Sequence, residues 1–222
     1  MAGDSGGPGV TPELRGPSER PGEAGSRLDR RLYPVLLVTL GCFAALATAA
    51  ALAGALPADA WIRETLLALA SRPVLAVMRV LNAAGDYRLL VPGTLLLLFV
   101  FPRARARWPI WVALMIVAAA VPDGLKVLVG RPRPDDVSMG FPSGHATAAA
   151  AYFGALIYLA GSLRPPARAL LRAFAVVAMI GVGIARVMLR AHWPSDVVGG
   201  FAFGLALASA AALLAALPAK KG

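Results

Sequence analysis

"GFPSGHATAAAAYF", residues 140–153, changes character half-way along. Gly140 to His145 is a polar turn. From Ala146 onward the chain is small and oily, like a helix in lipid. His145 is one of only two histidines in the protein. An ionisable ring where water gives way to membrane is expensive and marks a functional position. Ser143 is a good helix N-cap, and Gly144 lets the backbone come close to a ligand. Free N–H groups at a helix start make a ready anion site. The stretch therefore reads as the mouth of a membrane helix that offers polar groups to a negatively charged guest.

The rest of the chain fits a membrane protein. Of its 222 residues 58% are hydrophobic and 15% charged, and mean hydropathy is +0.68. A soluble domain carries about 25% charged residues. The net charge of +10 follows from Lys and Arg collecting in cytoplasmic loops. No clustered soluble basic face suggests nucleic-acid binding. Cys42 is the single cysteine, which excludes an internal disulfide and a thiolate metal cluster.

Hydropathy lays out six spans in an all-α, polytopic bundle. Residues 1–31, rich in Gly, Pro, Ser, Glu and Arg, read as a disordered cytoplasmic tail; residues 32–219 form the membrane domain. The first span, Val35 to Leu56, is 22 residues without a charge, and about 20 suffice to cross. Ala58-Asp59-Ala60 looks like a signal-peptide cleavage site, but such a peptide has a core of only about 7–15 residues. Trp61 to Asn82 carries Arg63, Glu64, Arg72 and Arg79, too many ions for lipid. It reads as two interfacial helices broken at Arg72-Pro73. Leu89 to Pro102 is the weakest span, at 14 uncharged residues, and needs extending back toward Asn82. The others are Trp108 to Leu128, His145 to Leu163, Leu170 to Ala185 and Val197 to Ala219. With both termini cytoplasmic, the basic runs at 27–31, 103–107, 164–172 and 220–221 all fall inside. The external Arg63, Arg72, Arg79 and Arg88 count against that assignment. Gly200-x-x-x-Gly204 permits close helix packing.

The polar residues left over gather on one face. They are Lys126, Arg131, Arg133, Ser143, His145, Arg186, Arg190, His192 and Asp196. Pro132 and Pro134 stop the helix after Lys126, so the chain can fold back and bring Lys126 and Arg133 together. Like charges held close imply an anion between them. Arg186 adds a forked donor. His192 precedes Trp193-Pro194, and proline suits a first helical turn. Asp196 then lies within reach of one imidazole nitrogen, which leaves the other free to attack. His145, beside a bound phosphate, can donate a proton to a leaving alkoxide. Snorkelling explains Arg190. Arg131 has two readings, assisting the phosphate or neutralising the loop. Asp123 reads as an i,i+3 partner of Lys126, and Asp135 and Asp136 as solvated loop residues.

These residues fall into three motifs. "KVLVGRPRP" matches K-x6-R-P, "PSGH" at 142–145 matches whole, and "ARVMLRAHWPSD" matches S-R-x5-H-x3-D apart from its first position. The chain thus resembles the type 2 phosphatidic acid phosphatase superfamily, the lipid phosphate phosphatases, which share a core with vanadium haloperoxidases. The resemblance implies a membrane hydrolase with His192 as nucleophile, Asp196 orienting it, and His145 as acid and then base. It implies phosphate held by Lys126, Arg133, Ser143, Gly144 and Arg186, with no metal or other cofactor. The partners it implies are a lipid phosphate substrate and membrane lipids. Ala185 stands where the family usually has Ser, which puts one hydroxyl contact to phosphate in question. The expected place is the plasma membrane, with the site facing outward. Polyprenyl diphosphate, phosphatidylglycerol phosphate, phosphatidic acid and lipid A phosphate all suit such a pocket. A non-catalytic lipid-phosphate binder or transporter on the same fold is the second reading, and a vanadate-dependent haloperoxidase the third.

Overall fold

The computed structural model describes the backbone of residues 21–217 and the side chains of residues 32–217 except Asp136. Nine helices are present among the described residues. They are α1 (Pro21–Ala53), α2 (Pro57–Ala68), α3 (Arg72–Ala83), α4 (Tyr87–Val100), α5 (Pro102–Arg105), α6 (Trp108–Val129), α7 (Gly144–Leu159), α8 (Pro165–Met188) and α9 (Pro194–Ala216). A 3-10 turn, Ala160–Ser162, extends α7. A hairpin of β1 (Pro132–Arg133) and β2 (Asp136–Met139) sits between α6 and α7. It replaces the irregular loop expected there and is the one departure from an all-helical chain among the described residues. The prolines that end α6 also start the hairpin, since proline is tolerated at a strand's first residue.

Helix α1 starts at Pro21, so helical backbone reaches into the segment read as a tail; residues 1–20 lie outside the described residues. It ends at Ala53, three residues before the expected Leu56. The two short helices predicted after the first span are α2 and α3, bent by 119°. The bend falls at residues 69–71, ahead of Arg72-Pro73, because Pro73 suits the first turn of α3.

Four helices are long and apolar enough to cross a membrane: Leu32–Ala53 within α1, α6, α8 and α9. The bent α2–α3 pair makes up to five. Helix α4 has 14 residues and α7 has 16, roughly 21 and 24 Å at 1.5 Å per residue. Both fall short of a core of about 30 Å. Helix α7 faces little lipid. Its small residues are buried against α9, α8 and α6.

A seam of small residues sets this arrangement. A Cβ on Gly204 would lie 2.3 Å from the Thr147 carbonyl oxygen, and one on Gly200 would lie 2.7 Å from that of Ser143. Across the seam, a Cβ on Gly154 would lie 2.8 Å from Ala208 Cβ. The backbones of α7 and α9 thus touch directly, in the close approach that small residues four apart allow. Helix α8 is wedged similarly, with Gly181 against Leu81 of α3 and Gly183 against Phe201 and Val197 of α9. Tight packing aligns the N-termini of α7 and α9 beside the C-terminus of α8. Three functional segments end at one place.

Candidate active site

At the start of α9, Asp196 is the third residue of the helix and is fully buried. Its Oδ2 accepts the Trp193 N–H at 3.0 Å and faces His192 Nδ1 at 3.4 Å. Capping the helix and orienting the ring are therefore done by one carboxylate. His192 lies in the turn between α8 and α9 and is 2% exposed. Burial pushes its pKa below the ordinary 6.5, and the charges of Arg186 and Arg133 add to this. The hydrogen bond and charge of Asp196 pull the other way. With Nδ1 held, Nε2 keeps the lone pair.

Ser143 caps α7, its Oγ facing the Ala146 N–H at 3.5 Å. Its own N–H donates to the Asp196 carbonyl at 3.0 Å. That amide thus ties the two helix starts together and is not open to an anion. The open donors of α7's first turn fall to Gly144 and His145. Lys126 Nζ is 3.9 Å from where a Gly144 Cβ would stand, so the ammonium lies over this turn. Lys126 also bonds Asp123 at 2.7 Å, the i,i+3 pair read from sequence. Arg186, Asp86, Lys126 and the His192 ring lie within electrostatic range of His145. Both rings thus share one electrostatic neighbourhood. Arg186 donates from Nη1 to Asn82 Oδ1 at 2.8 Å, while its buried Nε has no protein partner. Arg133 stacks its stem near Gly140, 3.3 Å from the position of a Cβ there, and its Nε points to the Met139 carbonyl at 3.4 Å.

Some residues take places the sequence did not disclose. Arg131 is buried under the site rather than in it, bonded to Asp196, Ser195 and Asp59. Asp59, noticed only within a cleavage-like triplet, is 2% exposed and bonds across to α9. Asp86, the N-cap of α4, faces His145 Nε2 at 3.7 Å. Asn82 holds Arg186. The signal for Asp86 was a lone carboxylate between two apolar runs, in "LNAAGDYRLLV". Asp135, expected to be merely solvated, pairs with Arg63 and with Arg190 at 3.6 Å. Ala185 is fully buried. No three His, Cys, Asp or Glu converge as a metal site among the described residues. Beside the site an apolar groove of about 290 Å³ opens between α4, α6 and α7, lined by Tyr87, Leu90, Met115, Ile116 and Ala148.

The sequence pattern of the PAP2 superfamily matches residues 108–217. The decaprenylphosphoryl-5-phosphoribose phosphatase of Mycobacterium tuberculosis is 33% identical over 152 residues, covering 62% of this chain and 78% of that protein. The chain belongs to the PAP2 superfamily. Another PAP2 relative, the lipid A 1-phosphatase of Rhizobium johnstonii, is 31% identical over 167 residues, with 61% of this chain and 65% of the relative covered. The chain spans between half and two thirds of the lipid A 1-phosphatases it matches. The crystal structure of a transmembrane PAP2 type phosphatidylglycerolphosphate phosphatase from Bacillus subtilis superposes with a TM-score of 0.70 at 25% identity. It covers 79% of this chain and 93% of that one. The apolar helices and this neighbour make the present PAP2 protein a membrane protein.

Proposed function

We propose that the protein is an integral-membrane lipid phosphate phosphatase that works through a phosphohistidine on His192 and needs no metal. The observation that carries this is the shared neighbourhood of His145, His192, Lys126 and Arg186, with His192 Nδ1 held by Asp196. In the first step Nε2 of His192 forms a bond to phosphorus. The bond from phosphorus to the leaving oxygen breaks, and His145 gives that oxygen its proton. In the second step His145, now neutral, takes a proton from water as the water attacks phosphorus. The P–N bond breaks and inorganic phosphate leaves. Lys126, Arg133, Arg186 and the first-turn amides of α7 hold the phosphate oxygens. Fixed cations in a water-poor site supply the stabilisation. Ser143 Oγ lies at the same helix start and completes the cradle.

The substrate class is a lipid phosphate or diphosphate. The relatives' names mention lipid A, a decaprenyl phosphoribose and phosphatidylglycerophosphate. What these share is a phosphate at the surface and chains in the bilayer. The groove between α4, α6 and α7 offers such chains an apolar bed one turn from His145. We assign six crossings, with α4 and α7 as short spans, both termini cytoplasmic and the site facing outward. A polyprenyl diphosphate or phosphatidylglycerol phosphate fits that side. The residues before 108 lie outside the matched pattern yet contribute Asn82 and Asp86, so residues 32–219 act as one phosphatase domain.

The test is phosphate release by purified protein in detergent with EDTA, over a panel of these lipids. The wild type is expected to release phosphate, to be inhibited by vanadate and to trap labelled phosphate on His192. His192→Ala is expected to insert normally and release none. Full activity in His192→Ala would sink the mechanism, and binding without release by the wild type would favour a lipid-phosphate carrier.

A further inference from the structure

Beneath His192 lies a chain of buried charges that the proposed reaction does not itself use. Arg131, 2% exposed, donates from Nη1 to Asp196 Oδ1 at 2.9 Å and to Ser195 Oγ at 2.6 Å. Its Nη2 donates to Asp59 Oδ2. Asp59 also accepts the Ser195 N–H at 2.8 Å, the Ser195 hydroxyl at 2.7 Å and the Leu56 N–H at 2.9 Å. The Arg131 guanidinium lies 5.7 Å from the Trp193 ring centre, which closes the remaining side. Three segments far apart in sequence, at 59, 131 and 195–196, meet in one buried knot.

We infer that Asp59 and Arg131 are positioning residues: through Asp196 they orient the His192 ring and keep it neutral until it attacks. The inference rests on His192 being the nucleophile. Burying three charges is a poor way to gain stability, since apolar residues of the same shape do as well or better. The charge count has a chemical use. Asp59, Arg131 and Asp196 sum to one negative charge. Without Arg131, two buried carboxylates would draw a proton onto the nearest imidazole and remove its lone pair. Without Asp59, Arg131 would cancel Asp196, and nothing would balance the ring when it becomes positive on phosphorylation. Only a planar fork can hold both carboxylates at once, so arginine suits this place and lysine does not. The other groups facing His192 are Arg186 of α8, Arg133 of β1 and His145 of α7. None of them touches Asp59.

The chain has only two histidines, which permits a direct reading. Untagged full-length protein in detergent, labelled with nitrogen-15 at histidine, gives two titrating imidazoles, and His145→Gln identifies which is which. Arg131→Met is expected to raise the His192 midpoint by about 1 pH unit, the scale of one nearby charge. Asp59→Asn, which keeps the shape of the side chain, is expected to lower it. The double variant Asp59→Asn/Arg131→Met removes a cation and an anion together and guards against misfolding. Its midpoint is expected above the wild type, because the cation in contact with Asp196 is the one lost. An unchanged midpoint in the folded variants, or slower phosphate release at an unmoved midpoint, overturns the inference and leaves a structural brace. The titration needs no turnover. Shifted midpoints in the variants, together with a wild type that releases no phosphate, would refute the phosphatase reading and leave the charge knot standing.

Discussion

As the proposed nucleophile, His192 can attack only while its ring is neutral. Burial lowers its pKa from 6.5, so the neutral form persists as pH falls through that value. The acid limb of kcat/KM is expected to lie below pH 6.5, with activity lost as the ring finally takes a proton; a limb well above 6.5 would contradict it. Lys126→Ala and Arg186→Ala are each expected to cost about 10²–10³ in kcat, by analogy with deleting an oxyanion donor. Asn82→Ala should act through Arg186 and cost less, with phosphate release rates as the measure. Residues given a direct chemical part in the proposed reaction were legible because their spacing is local: His192 and Asp196 lie four apart, and Ser143 and His145 two. Asp59, Asp86 and Asn82 were not. Their partners lie 136, 59 and 104 positions away, at Ser195, His145 and Arg186, and no window along the chain joins such pairs.

The α7–α9 seam turns a packing motif into a tolerance for the site. Gly204→Ala is expected to force the two helices apart, since the new carbon would stand 2.3 Å from the Thr147 carbonyl oxygen. Overpacking of this kind costs about 1–3 kcal/mol. A lowered melting temperature in detergent, with a fall in kcat larger than the loss of folded protein explains, is the expected outcome. A Cβ at Gly140 would stand 2.7 Å from Asp196 Oδ2, so Gly140→Ala should displace that buried, paired carboxylate, lowering the melting temperature as well as the rate of phosphate release. Helix positions were legible from apolar runs, and α6 starts and ends within a residue of its predicted bounds. The hairpin was hidden because Pro132 and Pro134 read as breakers. Their fixed backbone angles instead start a strand and its turn.

Over the whole molecule, the positive-inside pattern and the site's position make one testable arrangement. Val137, 88% exposed on the hairpin, should face the exterior. In intact cells Val137→Cys in a Cys42→Ser background is expected to react with a membrane-impermeant maleimide without permeabilisation. Reaction only after permeabilisation would reverse the topology. Arg63, which counted against that topology as an external cation, has a use on this face: it pairs with Asp135 and sits 5.7 Å from the Trp193 ring centre. The matched family pattern begins at Trp108, yet Asp59 is tied into the middle of the half that follows. Anyone trimming the protein to its recognisable part would strand a guanidinium in oil with half its neutralising company gone. The smallest piece that folds must therefore reach back at least to α2, however faint the family likeness becomes there.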